Sequence, residues 1–135
     1  MATFNKFQSF VEAVAHGKHN LSTGQMVVAL SNTAPTSGNS VLANITQITY
    51  TGLSTRNVTR TSSAQTSGVY KLVLADLEIT ASGTIPEFRY VILYDDTATN
   101  DELIGWWDRG AGVSLLAGDK FTIDFDDVEG VLQLT

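Results

Sequence analysis

Apolar and polar residues alternate along most of the chain after about residue 25, and this period of two is typical of β-strands. Phe121, Ile123 and Phe125 alternate with charged or hydroxyl residues, which predicts a strand with one buried face. In two other stretches, 88–94 and 103–107, apolar residues occupy both odd and even positions. Those two stretches are therefore predicted to be central strands covered on both faces.

One segment at the front of the chain has a different period. Phe7, Phe10, Val11 and Val14 are spaced as i, i+3, i+4 and i+7, which predicts an amphipathic helix over residues 5–16. The apolar stripe of this helix must pack against another element to be shielded from water. The outer face of the two central strands is the expected seat, since a sheet face that is apolar must be shielded from water.

The remaining segments give less definite patterns. The run 51–68 is almost entirely polar, which predicts an edge strand or an exposed hairpin. After Leu74 the apolar phase slips by one residue, which indicates either a bulge or a corner between two strands near residues 75–76. The run 41–50 fits a helix and a strand about equally.

These elements together predict one mainly β domain over residues 1–135. Seven or eight short strands without helical spacers suit an antiparallel β-sandwich or a jelly-roll-like barrel, with the N-terminal helix packed on one sheet. The composition agrees, because 43% of the 135 residues are apolar and 16% are charged.

Composition also excludes several classes of protein. The chain has no cysteine, so disulfide scaffolds, thiol nucleophiles and zinc ribbons are ruled out. No apolar run approaches the roughly 20 residues of a membrane span, and the first residues lack the pattern of a signal peptide. We therefore expect no membrane partner.

Charge is distributed unevenly along the chain, whose net charge is −6. Up to residue 75 there are five basic side chains against one acidic one, and from Asp76 onward three against thirteen. The net negative charge argues against direct nucleic-acid binding, which needs clustered Lys and Arg. The asymmetry either steers association with copies or charged surfaces, or disappears because both halves interleave in one domain.

No catalytic motif is visible, and no cofactor is expected. His16 and His19 flank Gly17, where the helix is predicted to end, and both are predicted to be solvated loop residues. The acidic runs 95–102 and 124–129 have the ligand type that calcium prefers, but the second fails the EF-hand pattern. A glycosidase pair among these acids would need a cleft shaped by aromatic residues.

The adjacent residues Trp106 and Trp107 are the most informative feature for a binding surface, because neighbours in a strand point to opposite faces. An outward Trp beside Tyr90 or Tyr94 would anchor a protein interface or stack on a sugar ring, unless the helix covers it. The predicted partner-interface residues are Arg56, Arg60, Tyr94, Trp106 and Trp107.

Several stretches of the chain resemble small virion proteins of tailed bacteriophages. They are Met26–Pro35, Tyr70–Asp76, Phe88–Asp96, Leu103–Asp108, Leu116–Asp119 and Phe121–Phe125. The resemblance implies a non-enzymatic component of the virion, assembled in the host cytoplasm and expected to form homo-oligomers. Capsid or tail proteins of the same particle are then its partners.

The resemblance leaves the position in the particle open. A decoration or cement protein on the outer capsid shell is the first interpretation, with segments 51–68 and 32–40 as contacts. A tail component, such as a tube, connector or baseplate-associated subunit, is the alternative. A carbohydrate-binding module that uses an outward Trp is a third hypothesis from a different class.

Overall fold

The computed structural model describes residues 2–135 and is mainly β, with 46% strand and 7% helix. All pairs of strands are antiparallel, as predicted. Within the described residues the elements, in chain order, are β1 (Asn5–Lys6), α1 (Ser9–Ala15), β2 (Met26–Ser31), a 3₁₀ helix (Leu42–Asn44), β3 (Arg60–Thr66), β4 (Val69–Leu74), β5 (Leu77–Thr80), β6 (Ile85–Asp95), β7 (Leu103–Leu115), β8 (Lys120–Ile123) and β9 (Leu132–Leu134).

The strands form two layers around one large core. The first layer is a sheet with the order β1-β7-β6-β2, and the second contains the sheets β3-β4-β9 and β5-β8. Alternate residues of β2 and β6, such as Val28 and Leu93, point into the core and meet Leu72 and Ile79 from the second layer. The sandwich-like packing follows from the period-two pattern, because each strand places one apolar face inward.

The first sheet is apolar on its outer face as well, and β6 is a central strand between β7 and β2, as predicted. Ile92 and Tyr94 belong to a second buried cluster on that face. The cover comes from Phe7 and from Leu42 and Ile45 around the 3₁₀ helix. The predicted seat of the N-terminal helix was therefore wrong, because Phe10 of α1 packs into the large core between the layers.

The helix also begins later than the predicted range 5–16. Asn5 and Lys6 form β1 and pair with β7, so their backbone groups are committed to a sheet. The backbone N–H of Phe7 donates to the carbonyl of Ile104 at 3.2 Å, and helical structure starts only at Ser9. Val11 is 49% exposed, so the four spaced apolar residues do not form one buried stripe.

The polar run 51–68 contains the predicted edge strand, since β3 pairs only with β4. Just before it, Val58 donates a backbone hydrogen bond to Met26 and Arg56 accepts one from Val28, which covers the outer edge of β2. The phase slip after Leu74 is a corner, because β4 and β5 belong to different sheets. The ambiguous run 41–50 is a 3₁₀ turn followed by irregular chain.

The basic and acidic halves of the sequence interleave. β2 from the first half pairs with β6 from the second, and the Lys71 ammonium lies 3.5 Å from the Glu129 carboxylate. The charge asymmetry along the chain therefore does not divide the folded protein into two oppositely charged bodies. Within residues 2–135, no helix has the length and apolar character required to cross a membrane.

Candidate functional site

Two of the predicted interface residues, Arg56 and Tyr94, lie together beside β2. The Arg56 guanidinium lies 3.6 Å from the centroid of the Tyr50 ring and donates to the carbonyl oxygen of Val28. Tyr94 is 5% exposed, and burial raises the pKa of its hydroxyl while the Arg56 cation opposes that rise. Arg56 therefore binds the edge strand β2, Tyr94 is buried on the central strand β6, and contact of either side chain with a partner stays a prediction.

Arg60 lies at the start of β3, where it joins two segments of the same chain. One terminal nitrogen of its guanidinium donates to the carbonyl oxygen of Gly24. Its Nε is buried without a hydrogen-bond partner among the described residues. Arg60 thus holds the turn before β2 against β3, and only part of its side chain remains accessible.

The two tryptophans point to opposite faces of β7, as predicted. Trp106 packs on Phe7, with ring centroids 4.6 Å apart, in the outer cluster. Trp107 points toward the core, where its ring centroid lies 5.2 Å from that of Phe4 and 5.6 Å from that of Phe125. Both tryptophans are thus half-buried, the outward one against a residue that precedes the helix and the inward one at the margin of the core.

A groove of about 440 Å³ opens beside Trp107, between β7 and β8; we call it the Trp107 groove. Trp107 lies directly opposite Val91 in the register of β6 and β7, so both side chains are on the inner face of the first sheet. The groove is therefore the open side of the sandwich. The residues that matter below are Val91, Trp107, Phe121 and Phe125 on the floor and Arg109 and Asp124 at the rim.

Charges around the groove are not independent of one another. The negative charge of Asp76 raises the pKa of the Asp124 carboxyl, with smaller contributions from desolvation and from a hydrogen bond between the two side chains. Asp76 is fixed in place because it accepts a hydrogen bond from the backbone N–H of Phe125 at 3.0 Å. Asp124 thus places a second carboxylate next to the fixed carboxylate of Asp76.

The far side of β3 is a second candidate surface, which we call the β3 edge and define as residues 61–66. Ser67 and Gly68 form a two-residue turn with φ values of 53° and 83°. In such a hairpin Thr66 and Val69 exchange hydrogen bonds, and the alternate residues Ser63 and Gln65 direct their N–H and C=O groups away from β4. The β3 edge therefore presents unpaired backbone groups.

The β3 edge lacks the usual protection against pairing. Exposed edges are commonly blunted by Lys, by Pro or by a bulge. No charged residue and no proline occurs from Thr61 to Tyr70, and the bulge between Arg60 and Ser62 affects only one end. The outer edge of β5 is covered by the bridge between Leu53 and Ala81, whereas within residues 2–135 no strand, bridge or backbone hydrogen bond pairs with the β3 edge. The loop 19–22 lies next to that edge without pairing with it.

His19 was predicted to be solvated, and that prediction was wrong. It is 8% exposed, and its Nδ1 lies 3.0 Å from an Asp95 carboxylate oxygen. Asp95 also accepts from the backbone N–H of Thr97 at 3.0 Å, so it joins the loop after α1 to the loop after β6. Nε2 of His19 is buried without a partner among the described residues. Sequence spacing carries no signal for this contact, because 76 positions separate the two residues.

The acidic loop after β6 is compact. Burial raises the pKa of Asp101, and the charges of Asp96, Glu102 and Asp95 raise it further. Across the described part of the chain, no group of three or more His, Asp or Glu side chains is arranged to hold a metal ion.

The structure therefore brings Arg56 and Tyr94 together and keeps Arg60, Trp106 and Trp107 at separate places. It also gives the exact position of the predicted edge strand, as the β3 edge, and it adds the Trp107 groove, which local spacing does not define. Comparisons with protein-family models, with curated proteins and with solved structures find no match to this chain.

Proposed function

We propose that the chain is a non-enzymatic structural protein of a bacteriophage virion that decorates the outer face of the capsid shell. The observation that carries this proposal is the β3 edge, an exposed and uncharged strand edge that pairs with no other strand among residues 2–135. The sequence resemblance of stretches such as 88–96 and 103–108 to phage virion proteins is the reason for proposing a virion as the assembly.

Backbone pairing is the interaction that such an edge supports. An extended segment of a shell protein that lies along β3 would receive hydrogen bonds from the outward N–H groups of Ser63 and Gln65 and would donate to their carbonyls. The neighbouring side chains Ser62, Ala64 and Thr66 are small and exposed, so they leave room for an added strand. Main-chain pairing thus gives affinity without any charged contact.

Repetition compensates for the small size of this contact. Each added backbone hydrogen bond contributes about 0.5–1.5 kcal/mol net, so one edge alone gives a modest affinity. A shell presents the same segment many times, and contacts between neighbouring decorations then add avidity. The proposal therefore places the protein in the assembled virion, with a shell protein as its main partner and copies of itself beside it.

Replacing Gln65 with proline should weaken capsid binding by at least about tenfold, equivalent to about 1.4 kcal/mol. Proline removes the outward N–H of residue 65 and places a ring where the added strand would lie, but it leaves the hydrogen bonds to β4 intact. Binding would be measured by cosedimentation with expanded capsids that lack the protein.

Gln65→Ala is the matched control, because it removes the same side chain and its contact with the backbone N–H of Gly68 but keeps the outward N–H. We expect it to bind like the unmodified protein and to raise the temperature at which capsids rupture. Equal capsid binding by the proline and alanine variants, with both folded, would show that the β3 edge is not the contact. Binding to purified tails and not to capsids would replace decoration by a tail role.

A further inference from the structure

We infer that the Trp107 groove is a binding site for a neutral saccharide ring. This inference does not rest on the capsid-binding role of the β3 edge, because the groove lies between β7 and β8 and shares no residue with that edge. It assigns to the protein a second, ligand-binding activity.

The size and lining of the groove suit a small ligand. Its volume of about 440 Å³ lies in the range of known ligand pockets, which are mostly apolar with a few polar groups at fixed positions. Trp107 is held from two sides by Phe4 and Phe125, and Phe121 meets Phe88 edge to face, with ring centroids 5.2 Å apart. The aromatic floor is therefore built from rings that pack on neighbouring rings.

An aromatic floor with a hydrogen-bonding rim matches the two kinds of surface on a sugar. One face of a pyranose ring exposes C–H groups, which pack against aromatic rings, while its hydroxyl groups extend sideways. At the rim of the groove, Asp124 offers acceptors, Arg109 offers donors and the Thr122 hydroxyl offers both. A ring that rests on Trp107 can thus satisfy its hydroxyls at the rim.

The charges of the rim favour a neutral ligand. Arg109 and Asp124 have opposite signs, and the Arg109 guanidinium is already drawn over the Phe121 ring at 5.8 Å from its centroid. An anionic sugar would meet Asp124 together with Asp76, whose charge already raises the pKa of Asp124. An ammonium ligand would meet Arg109. Hexoses and N-acetylhexosamines avoid both conflicts, because each hydroxyl donates and accepts.

A Trp106→Phe variant leaves Trp107 as the only tryptophan and turns it into a reporter for the groove. We expect selected neutral glycans on an array to bind the unmodified protein, and the same soluble glycans to change the Trp107 fluorescence of the variant. Sialylated glycans should bind less well. Asp124→Asn and Arg109→Gln should each weaken binding by about tenfold, since each removes a charged hydrogen-bonding group.

Asp96→Asn is the matched control, because Asp96 is an exposed acid in the loop after β6, does not line the groove and does not act on Asp124. It should leave glycan affinity unchanged. The inference is overturned if no glycan on the array binds, if Asp124→Asn binds as tightly as the unmodified protein, or if Trp107 responds to peptides and not to sugars. Asp124→Asn should bind capsids normally whichever result is found, so failure here does not affect the test of the β3 edge.

Discussion

Replacing Phe7 with alanine is expected to lower the free energy of unfolding by about 3–5 kcal/mol, the usual cost of removing a fully buried aromatic ring. Phe7 has no exposed surface, packs on Trp106 at 4.6 Å between ring centroids and shields the outer face of the first sheet. Its loss leaves a cavity and increases the exposure of Trp106, which is half-buried in the unmodified protein. Urea denaturation followed by tryptophan fluorescence measures both effects.

Val11→Ala is the control for this change, since the sequence pattern places Val11 and Phe7 on the same helical stripe. Because Val11 is 49% exposed, its truncation should change the free energy of unfolding by no more than about 0.5 kcal/mol. Similar losses for both variants would mean that one helix buries both residues, contrary to the structure.

Replacing Asp95 with alanine is expected to lower the free energy of unfolding by about 1–3 kcal/mol, the usual cost of leaving a buried polar group without its partner. The substitution removes the acceptor of the buried Nδ1 of His19, and it also removes the acceptor of the backbone N–H of Thr97, an exposed residue. The loops before β2 and after β6 should also exchange their amide hydrogens faster. Chemical denaturation together with hydrogen exchange would measure the two consequences.

Asp96→Ala removes a neighbouring carboxylate that is exposed, and it should change stability by no more than about 0.5 kcal/mol. A drop as large as that for Asp95 would show that loss of negative charge, and not loss of the buried acceptor, destabilises the Asp95 variant. An Asp95 variant as stable as the unmodified protein would contradict the buried contact with His19.

Strand faces were predictable because their signal is local. Apolar residues at both odd and even positions of 88–94 correctly indicated a central strand. The positions of Trp106 and Trp107 as neighbours in one strand were enough to predict that they point to opposite faces. The start of the helix was not predictable, because Asn5 is drawn into a sheet by β7. Its side chain donates to the carbonyl oxygen of Trp106 at 3.3 Å, across 101 positions of sequence.

The candidate surfaces depend even more on distant contacts. Arg56 and Arg60 look like free cations in a polar run, yet each guanidinium donates to a backbone carbonyl that the fold brings near. The polar run itself did predict an edge strand, since residues without apolar surface cannot fill a sheet centre. The Trp107 groove combines β7 with β8, and only the packing of the two layers shows that Asp124 lies at its rim.

The central claim is that this chain acts by lying against shell proteins of a virion through the edge of β3. A cryo-electron microscopy reconstruction of the virion that carries it measures this directly. We expect density for the protein on the outer capsid surface, with residues 61–66 extended beside a strand of a shell protein. Density for the chain only in the tail, or a complete particle without it, would contradict the claim.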